Sequence, residues 1–205
     1  MDNPMHQSDD PYQQAANALH QAQNVIAITG AGASVESGIP DFRSSGGLWE
    51  TYPPGEFATI EGYLQEPDRV WRLWHELGQI FANVKPNPGH HALAELERLG
   101  HLDTVITQNI DNLHQAAGNT HVIEYHGNGS HLICLRCQTT TPLDLALPAD
   151  RAPRCPCGGL QKPEVVFFGE AIPLEALTQS EHLAQTTDVA IIVGTSATVY
   201  PAAAI

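Results

Sequence analysis

Four cysteines form two close pairs in the second half of the chain. Cys134 and Cys137 stand in a Cys-x-x-Cys arrangement, and Cys155 and Cys157 in a Cys-x-Cys arrangement. A tight turn places both thiolates of such a pair on one side, and two pairs complete the tetrahedral shell of Zn²⁺. Two disulfides or four separate buried thiols are the alternatives. Because four cysteine ligands leave no open coordination position, we expect the metal to be structural rather than catalytic.

A turn of small residues, Gly30-Ala31-Gly32-Ala33-Ser34, follows the apolar run at 25–29. Small residues let the backbone approach a pyrophosphate, and the N–H groups at the start of a following helix face the anion. The third glycine of the dinucleotide fingerprint would fall at position 35, which is Val35. The turn therefore fits either dinucleotide binding or an ordinary tight turn.

Two polar positions follow other apolar runs. The first is the loop Gln108-Asn109-Ile110-Asp111-Asn112, after the run at 104–107. In open α/β sheets ligands lie beyond the carboxyl ends of strands, and amide side chains there suit a ribose or a carboxamide. The alternative is a polar turn in which Asp111 or Asn112 caps a helix.

The second position is His126, after 122–125, where an imidazole could act as a general base near neutral pH or be an ordinary histidine.

The elements that position these residues alternate between strands and helices. We predict helices at 13–23, 67–83, 89–99 and 175–184, strands at 25–29, 104–107, 122–125 and 190–193, and a long mobile loop at 44–63. The strand at 190–193 reads as buried. Alternation of this kind predicts an α/β fold with a parallel sheet covered by helices on both faces. Residues 131–160 contain all the cysteines and interrupt the alternation, which suggests an inserted module.

Composition limits the classes of partner. The chain has 205 residues, 42% of them hydrophobic, enough for one domain with a small satellite. Nine basic against 23 acidic residues give a net charge of −14, which argues against nucleic acids and anionic membranes as partners. No stretch approaches the roughly 18 apolar residues of a membrane span. No secretory leader is visible at 1–23, and unpaired cysteines suit a reducing compartment, so we expect a cytoplasmic protein.

The segments together resemble one known family. They are GAGAS (30–34), SGIPDFR (37–43), QNID (108–111), NLH (112–114), YHG (125–127), the four cysteines, KPEVVFFGE (162–170) and GTSATVYPA (194–202). Their order and spacing resemble those of the sirtuins, the NAD-dependent protein-lysine deacylases, of bacterial type. The resemblance runs from about residue 20 to the end of the chain.

The resemblance implies a division into domains. A Rossmann-like, NAD-binding domain would comprise residues 1–130, including a cofactor loop and the helical segment 44–99. A zinc-binding module would comprise 131–160, and 161–205 would complete the Rossmann-like domain. NAD and an acyl-lysine side chain would meet in the cleft between the two domains.

The resemblance also assigns roles to residues. The catalytic residues would be His126 and Asn109. The residues that bind NAD would be Gly30, Ala31, Gly32, Ser34, Ile39, Asp41, Phe42, Arg43, Trp49, Gln108, Asn109, Ile110, Asp111, Gly194, Thr195 and Ser196. The acyl-lysine peptide would lie along Val165, Val166, Phe167, Phe168 and Gly169 and add a strand to their backbone. The Zn²⁺ ligands would be Cys134, Cys137, Cys155 and Cys157.

The implied reaction transfers an acyl group from lysine and releases nicotinamide and O-acyl-ADP-ribose, with His126 as the general base. Relatives that prefer succinyl-lysine have a Tyr-x-x-Arg pair whose Arg binds the acyl carboxylate. By our alignment Trp74 and Leu77 occupy those places, which favours acetyl or longer apolar groups. A slip of the alignment would bring in Arg72 instead.

Several expectations concern alternatives. Family members continue beyond the segment at 194–202, so we expect part of the adenosine pocket and a neighbouring strand to be missing from the chain as given. A mono-ADP-ribosyltransferase could use the same pocket, and a non-catalytic acyl-lysine binding module would bind peptide without consuming NAD. A nicotinamide-dependent dehydrogenase fits less well, because hydride transfer retains the nicotinamide ring. The sequence leaves the oligomeric state open.

Overall fold

The computed structural model describes residues 10–43 and 46–205. Its helices are α1 (Pro11–Gln21), α2 (Leu48–Thr51), α3 (Pro54–Phe57), α4 (Ile60–Gln65), α5 (Pro67–Asn83), α6 (Pro88–Arg98), α7 (Leu113–Ala117) and α8 (Leu174–Thr186). Its strands are β1 (Val25–Thr29), β2 (Thr104–Thr107), β3 (Val122–Glu124), β4 (Gly127–Cys134), β5 (Thr140–Pro142), β6 (Gln161–Val165) and β7 (Val189–Val193). Short 3₁₀ helices lie at Ala31–Ser37 and Ala202–Ala204.

A parallel sheet with strand order β3-β2-β1-β7 forms the larger half of the molecule. All five residues of β1 are buried, because successive side chains enter two different helical layers. Val25 and Ala27 pack in the core that includes Leu93 of α6. Ile26 and Ile28 pack in the core that α8 covers on the other face. The expectation of a parallel sheet covered on both faces is confirmed.

A second sheet, with order β5-β4-β6, is small and antiparallel. It extends from 127 to 165 and thus beyond both ends of the expected module at 131–160. Its core is shared with α5, whose buried face includes Trp71 and Trp74. The Trp71 indole N–H donates to the carbonyl of Pro148, 2.9 Å away. The helical segment α3–α5 therefore packs with the small sheet.

Two local expectations differ from the structure. The segment expected to be a long loop holds α2, α3 and the start of α4, although residues 44 and 45 lie outside the described part. The turn at Gly30 does open a helix, which is of the 3₁₀ type. The last strand of the sheet, β7, is half-exposed rather than buried, and Ile192 is 63% exposed, because one of its two faces has no covering layer among the described residues.

No helix in the described ranges is both long and apolar enough to cross a lipid bilayer.

Candidate active site

A cavity of about 460 Å³ lies at the carboxyl ends of β1, β2 and β7. This volume is in the range of cofactor-sized pockets, about 300–1,000 Å³. The cavity brings together all the predicted catalytic, NAD-binding and peptide-binding residues. They are Gly30, Ala31, Gly32, Ser34, Ile39, Asp41, Phe42, Arg43, Trp49, Gln108, Asn109, Ile110, Asp111, His126, Val165, Val166, Phe167, Phe168, Gly169, Gly194, Thr195 and Ser196. Their individual roles stay predictions.

The glycines of the first turn are needed for contact with a second turn. A Cβ on Gly32 would lie 2.9 Å from the Cα of Gly194, and a Cβ on Gly194 would overlap the backbone nitrogen of Ala33. The N–H of Gly30 donates to the carbonyl of Val193 (3.0 Å), and that of Gly32 to the carbonyl of Gly194 (2.8 Å). The small residues therefore let two loops pack together, and these two N–H groups are already bonded within the protein.

Ser34 connects the first turn to the polar loop after β2. Its hydroxyl donates to Oδ2 of Asp111 (2.6 Å) and accepts a hydrogen bond from Nδ2 of Asn109 (3.0 Å). Nδ2 of Asn109 also donates to the carbonyl of Gly30, 3.0 Å away. Since Ser34 and Asp111 are buried, the donors and acceptors are fixed before any ligand binds.

The alternative role of Asp111 as a helix-capping residue is also present. Its Oδ1 accepts a hydrogen bond from the N–H of Leu113, 3.0 Å away, at the start of α7. The residue at the cap position, Asn112, adopts a left-handed conformation with φ of 63° and makes no side-chain cap. Asp111 therefore caps α7 with one oxygen and binds Ser34 with the other.

The ring of His126 is oriented by the chain itself. Its Nδ1 lies 3.1 Å from the carbonyl of Gln108, and since a carbonyl only accepts, Nδ1 carries the proton. Nε2 is then the basic nitrogen of the neutral ring. Burial lowers the pKa of His126, and the hydrogen bond to Gln108 opposes that shift. A neutral imidazole lining a cavity can accept a proton, which is the property of a general base.

The segment Val165–Gly169 forms another wall of the cavity, and its N–H groups are largely engaged. Val166 donates to the carbonyl of His126 (2.8 Å), and Phe168 to the carbonyl of Ala58 (2.8 Å). Phe167 donates to the carboxylate of Glu170 (2.8 Å). Three carbonyls of the segment are engaged as well, since Val165 accepts from the ammonium of Lys162, Phe167 from the N–H of Glu170 and Phe168 from the N–H of Ile60. The backbone of this wall is therefore largely hydrogen-bonded within the protein.

The residues on either side of positions 44 and 45, which are 41–43 and 46–49, are connected by backbone and ring contacts. The N–H of Leu48 donates to the carbonyl of Asp41 (2.9 Å), and that of Trp49 to the carbonyl of Phe42 (3.0 Å). The rings of Phe42 and Trp49 are 4.8 Å apart. The guanidinium of Arg43 donates to the hydroxyl of Thr198, 3.0 Å away. These contacts hold residues 41–43 and 46–49 against the cavity.

The four cysteines meet at one point of the small sheet. Their sulfurs all lie within 4.8 Å of one another. The separations of 3.5 Å between Cys134 and Cys157, and 3.7 Å between Cys137 and Cys155, are too long for disulfides and suit sulfurs around a shared Zn²⁺. The backbone supports the cluster, because the N–H of Gly159 donates to Cys157 and a Cβ at that position would lie 2.6 Å from the sulfur of Cys134. The donor set therefore fits structural zinc.

Other lining residues were not predicted as site residues. They are Pro40, Ala58, Phe81, Glu170, Ile172, Val199, Tyr200 and Pro201; Trp74, which the alignment places at the acyl end, also lines the cavity. Trp74 and Phe81 stand seven positions apart on α5, which is two helical turns, so helical periodicity places them on one face. That periodicity was the available signal. It does not distinguish a residue that lines a cavity from one that fills a core.

Two histidines are buried beneath the polar loop. Nε2 of His114 lies 2.9 Å from the hydroxyl of Thr29, which itself donates to the hydroxyl of Thr107. The rings of His114 and His90 are 4.8 Å apart. Burial, and to a smaller extent the proximity of His90, lower the pKa of His114 to about 4, while Asp111 opposes the shift. Both histidines are therefore neutral parts of the scaffold at neutral pH.

Comparisons of the sequence with a family model and with known proteins identify the same family. A profile of the Sir2 family matches residues 30–201. An NAD-dependent protein deacylase of Thermococcus sibiricus is 46% identical over 93% of this chain and 78% of its own length. An NAD-dependent protein deacetylase of Caldivirga maquilingensis is 48% identical over 92% of this chain and 74% of its own. The chain belongs to the Sir2 family.

Solved structures agree with that membership. A complex of a Sir2 homologue with NAD superposes with a TM-score of 0.88 at 39% identity, covering 94% of this chain and 75% of the other. A Sir2 enzyme bound to a propionylated peptide superposes with a TM-score of 0.83 at 35% identity, covering 95% of this chain and 79% of the other. The predicted family and fold class are confirmed.

Proposed function

We propose that the chain removes acyl groups, chiefly acetyl, from lysine side chains of proteins in an NAD-dependent reaction that releases nicotinamide and O-acyl-ADP-ribose. The observation that carries this proposal is the single cavity that joins His126, the Ser34–Asn109–Asp111 network and the segment Val165–Gly169. Relatives named as deacylases and deacetylases support it.

The polar network forms the end of the cavity suited to a carboxamide. Asn109 and Asp111 present an amide and a carboxylate held in fixed positions by Ser34. Bound NAD would supply a ribose carbon whose bond to nicotinamide breaks when the acyl oxygen attacks. Groups fixed in advance lower the barrier to such a step, because they need no reorganisation.

His126 stands between the two walls of the cavity. Its Nε2 is the nitrogen that accepts a proton from a sugar hydroxyl, and Gln108 holds the ring in the required tautomer through Nδ1. Its own carbonyl accepts a hydrogen bond from the N–H of Val166, which links the base directly to the peptide-binding segment. The apolar side chains along the cavity limit the access of water.

The acyl group is an acetyl or another apolar group. Trp74 lines the cavity and its ring stacks on Phe167 at 5.0 Å, whereas Leu77 is buried in the core. Arg72, which a slip of the alignment would bring in, is exposed and does not line the cavity. The acyl end therefore offers an apolar wall at Trp74, and the position where succinyl-specific relatives have an Arg is taken by the buried Leu77.

The remaining parts of the proposal concern partners and context. The partners are proteins or peptides that contain acyl-lysine, consistent with the propionylated peptide bound by a related enzyme. The net charge of −14 disfavours nucleic acids and anionic membranes, and four reduced cysteines favour the cytoplasm. We retain the division into 1–130, 131–160 and 161–205 as a proposal.

The test is incubation of the chain with NAD and an acetyl-lysine peptide, followed by measurement of nicotinamide and of peptide mass. We expect nicotinamide release, a peptide that has lost its acetyl group, and O-acetyl-ADP-ribose. A peptide that gains ADP-ribose would instead indicate a mono-ADP-ribosyltransferase, and bound peptide with unconsumed NAD would indicate a non-catalytic binding module. A matched succinyl-lysine peptide should react more slowly, and a preference for it would contradict the acyl assignment.

A further inference from the structure

Lys162 is buried in β6, with 5% of its surface exposed. Its ammonium lies 3.0 Å from Oε2 of Glu170 and donates to the carbonyls of Val165 (2.6 Å) and Pro163 (3.1 Å). An ammonium has three donors, and these three oxygens use all of them. Lys162 begins one of the segments that carry the family resemblance, KPEVVFFGE (162–170), but no role was predicted for it from the sequence.

A buried ammonium is costly unless it is paired and hydrogen-bonded. Burial lowers the pKa of Lys162, and Glu170 opposes the shift by stabilising the charged form. Glu170 is the complementary group, and its carboxylate also accepts the N–H of Phe167 at 2.8 Å. Lys162 and Glu170 therefore link the two ends of the turn from Val165 to Glu170 through buried hydrogen bonds.

The ammonium also contacts the apolar side of the site. It lies 4.7 Å from the ring centroid of Phe167, a cation–π distance. The other neighbours of that ring are Trp74, stacked at 5.0 Å, and Tyr63, edge-on at 5.7 Å. Phe167 and Trp74 both line the cavity. Lys162 thus contacts a wall of the cavity that it does not itself line.

We propose that Lys162 is a positioning residue for acyl-lysine binding, which acts by holding the turn Val165–Glu170 and the ring of Phe167 in the geometry that the peptide requires. The inference rests on the proposed function, and assigns a role to a residue outside the cavity lining. None of its described contacts involves the turns at Gly30 or Gly194. Its loss should therefore affect the peptide far more than NAD.

The test uses Lys162→Met, which keeps the length of the side chain without the charge. Lys85→Met is the matched control, since Lys85 is the other lysine of the chain and is exposed. We expect the KM for an acetyl-lysine peptide to rise about tenfold in Lys162→Met, the KM for NAD to change less than about twofold, and Lys162→Arg to recover part of the loss. Equal rises for both substrates, or an unchanged peptide KM, would overturn the proposal.

Two further measurements test the proposal even if Lys162→Met folds poorly or the wild type is inactive. The double variant Lys162→Met/Glu170→Gln removes the buried ammonium together with its half-buried partner carboxylate, so we expect its stability to recover while its peptide KM stays raised. Amide hydrogen exchange in peptide-free protein should be faster at Phe167 and Phe168 in Lys162→Met than in Lys85→Met. Unchanged exchange would refute the positioning role, whereas faster exchange with a wild type that releases no nicotinamide would refute only the proposed function.

Discussion

The two sheets are stabilised in different ways, although both contribute walls to one cavity. In the parallel sheet, β1 is buried along its whole length and most of β2 is buried with it. In the antiparallel sheet, β5 is largely exposed, β4 has three buried residues, and the four buried residues of β6 include the polar Gln161 and Lys162. The small sheet therefore has less apolar burial to stabilise it, and depends on the cysteine cluster, the buried Lys162–Glu170 pair and the apolar face of α5.

This difference divides the site by function. The walls suited to NAD come from the turns at the ends of β1, β2 and β7, which rest on an apolar core. The wall suited to the peptide follows β6 of the small sheet. His126 lies at the junction, directly before β4. Perturbations of the two sheets should therefore separate effects on peptide from effects on NAD.

Metal removal is expected to have the largest effect on the stability of the small sheet. We expect Cys134→Ser, or prolonged chelation, to release the metal and abolish deacylation. Structural zinc contributes apparent binding energies of about 10–16 kcal/mol in small modules, comparable to the whole stability of a domain. Metal analysis and hydrogen exchange resolved by segment would check this: protection should be lost in β4 and β6 and largely kept in β1 and β2. Equal loss in both sheets would contradict the division.

Replacement of His126 should affect chemistry at the junction without affecting either sheet. We expect His126→Ala to lower kcat by about 10²–10⁴, the usual contribution of a general base, and to change the unfolding free energy by less than about 1 kcal/mol. His182→Ala, on the exposed face of α8, is the control. Because burial lowers the pKa of His126 in the ligand-free protein, the acidic limb of the wild-type kcat/KM profile should lie below pH 6.5. Full deacylation by His126→Ala would remove His126 from the mechanism.

Much of the large sheet was predictable because its signals are local. The apolar run ending at Gly30 predicted β1 at the observed bounds, and the spacing of apolar residues between Pro67 and Asn83 predicted α5. Helices of four to six residues, such as α2 to α4, are too short for a periodic pattern to appear. The half-exposure of β7 depends on what covers the strand, which a run of apolar residues does not reveal.

The residues that form the site were predictable, but the contacts that hold those residues in place were less so. Parallel strands bring their carboxyl ends together, so Gly30, Asn109 and Gly194 were expected at one edge. The reason for the glycines was not predictable, since Gly32 and Gly194 meet only in the folded chain. Nor was the burial of Lys162, because its partner Glu170 lies across a turn whose shape is set by tertiary contacts.

Gly194→Ala would test the parallel sheet, whose turns form the walls suited to NAD. Gly194 has φ of +62°, and its Cβ would overlap the backbone of Ala33, so the two turns must separate. We expect a loss of about 2–4 kcal/mol in unfolding free energy and weaker NAD binding, with little change in peptide KM. Gly55→Ala, where a Cβ meets no atom within 4 Å, is the control. Isothermal titration with NAD and denaturant unfolding would measure both effects, and an unchanged NAD affinity would contradict the role of this contact.

The smallest expected effect concerns the pH dependence of the large sheet. Burial lowers the pKa of His114 from its ordinary 6.5 to about 4, and His90 beside it shifts in the same direction. The unfolded chain therefore binds protons first, so stability is lost as pH falls from 6.5 towards 4. Between pH 7.5 and pH 5 we expect a loss of about 2 kcal/mol from His114. Denaturant unfolding of wild type, His114→Asn and the exposed control His182→Asn, with bound metal checked at each pH, would measure it. The loss should shrink only in His114→Asn; an equal loss in all three proteins would place the acid sensitivity elsewhere, first of all in the cysteine cluster of the small sheet.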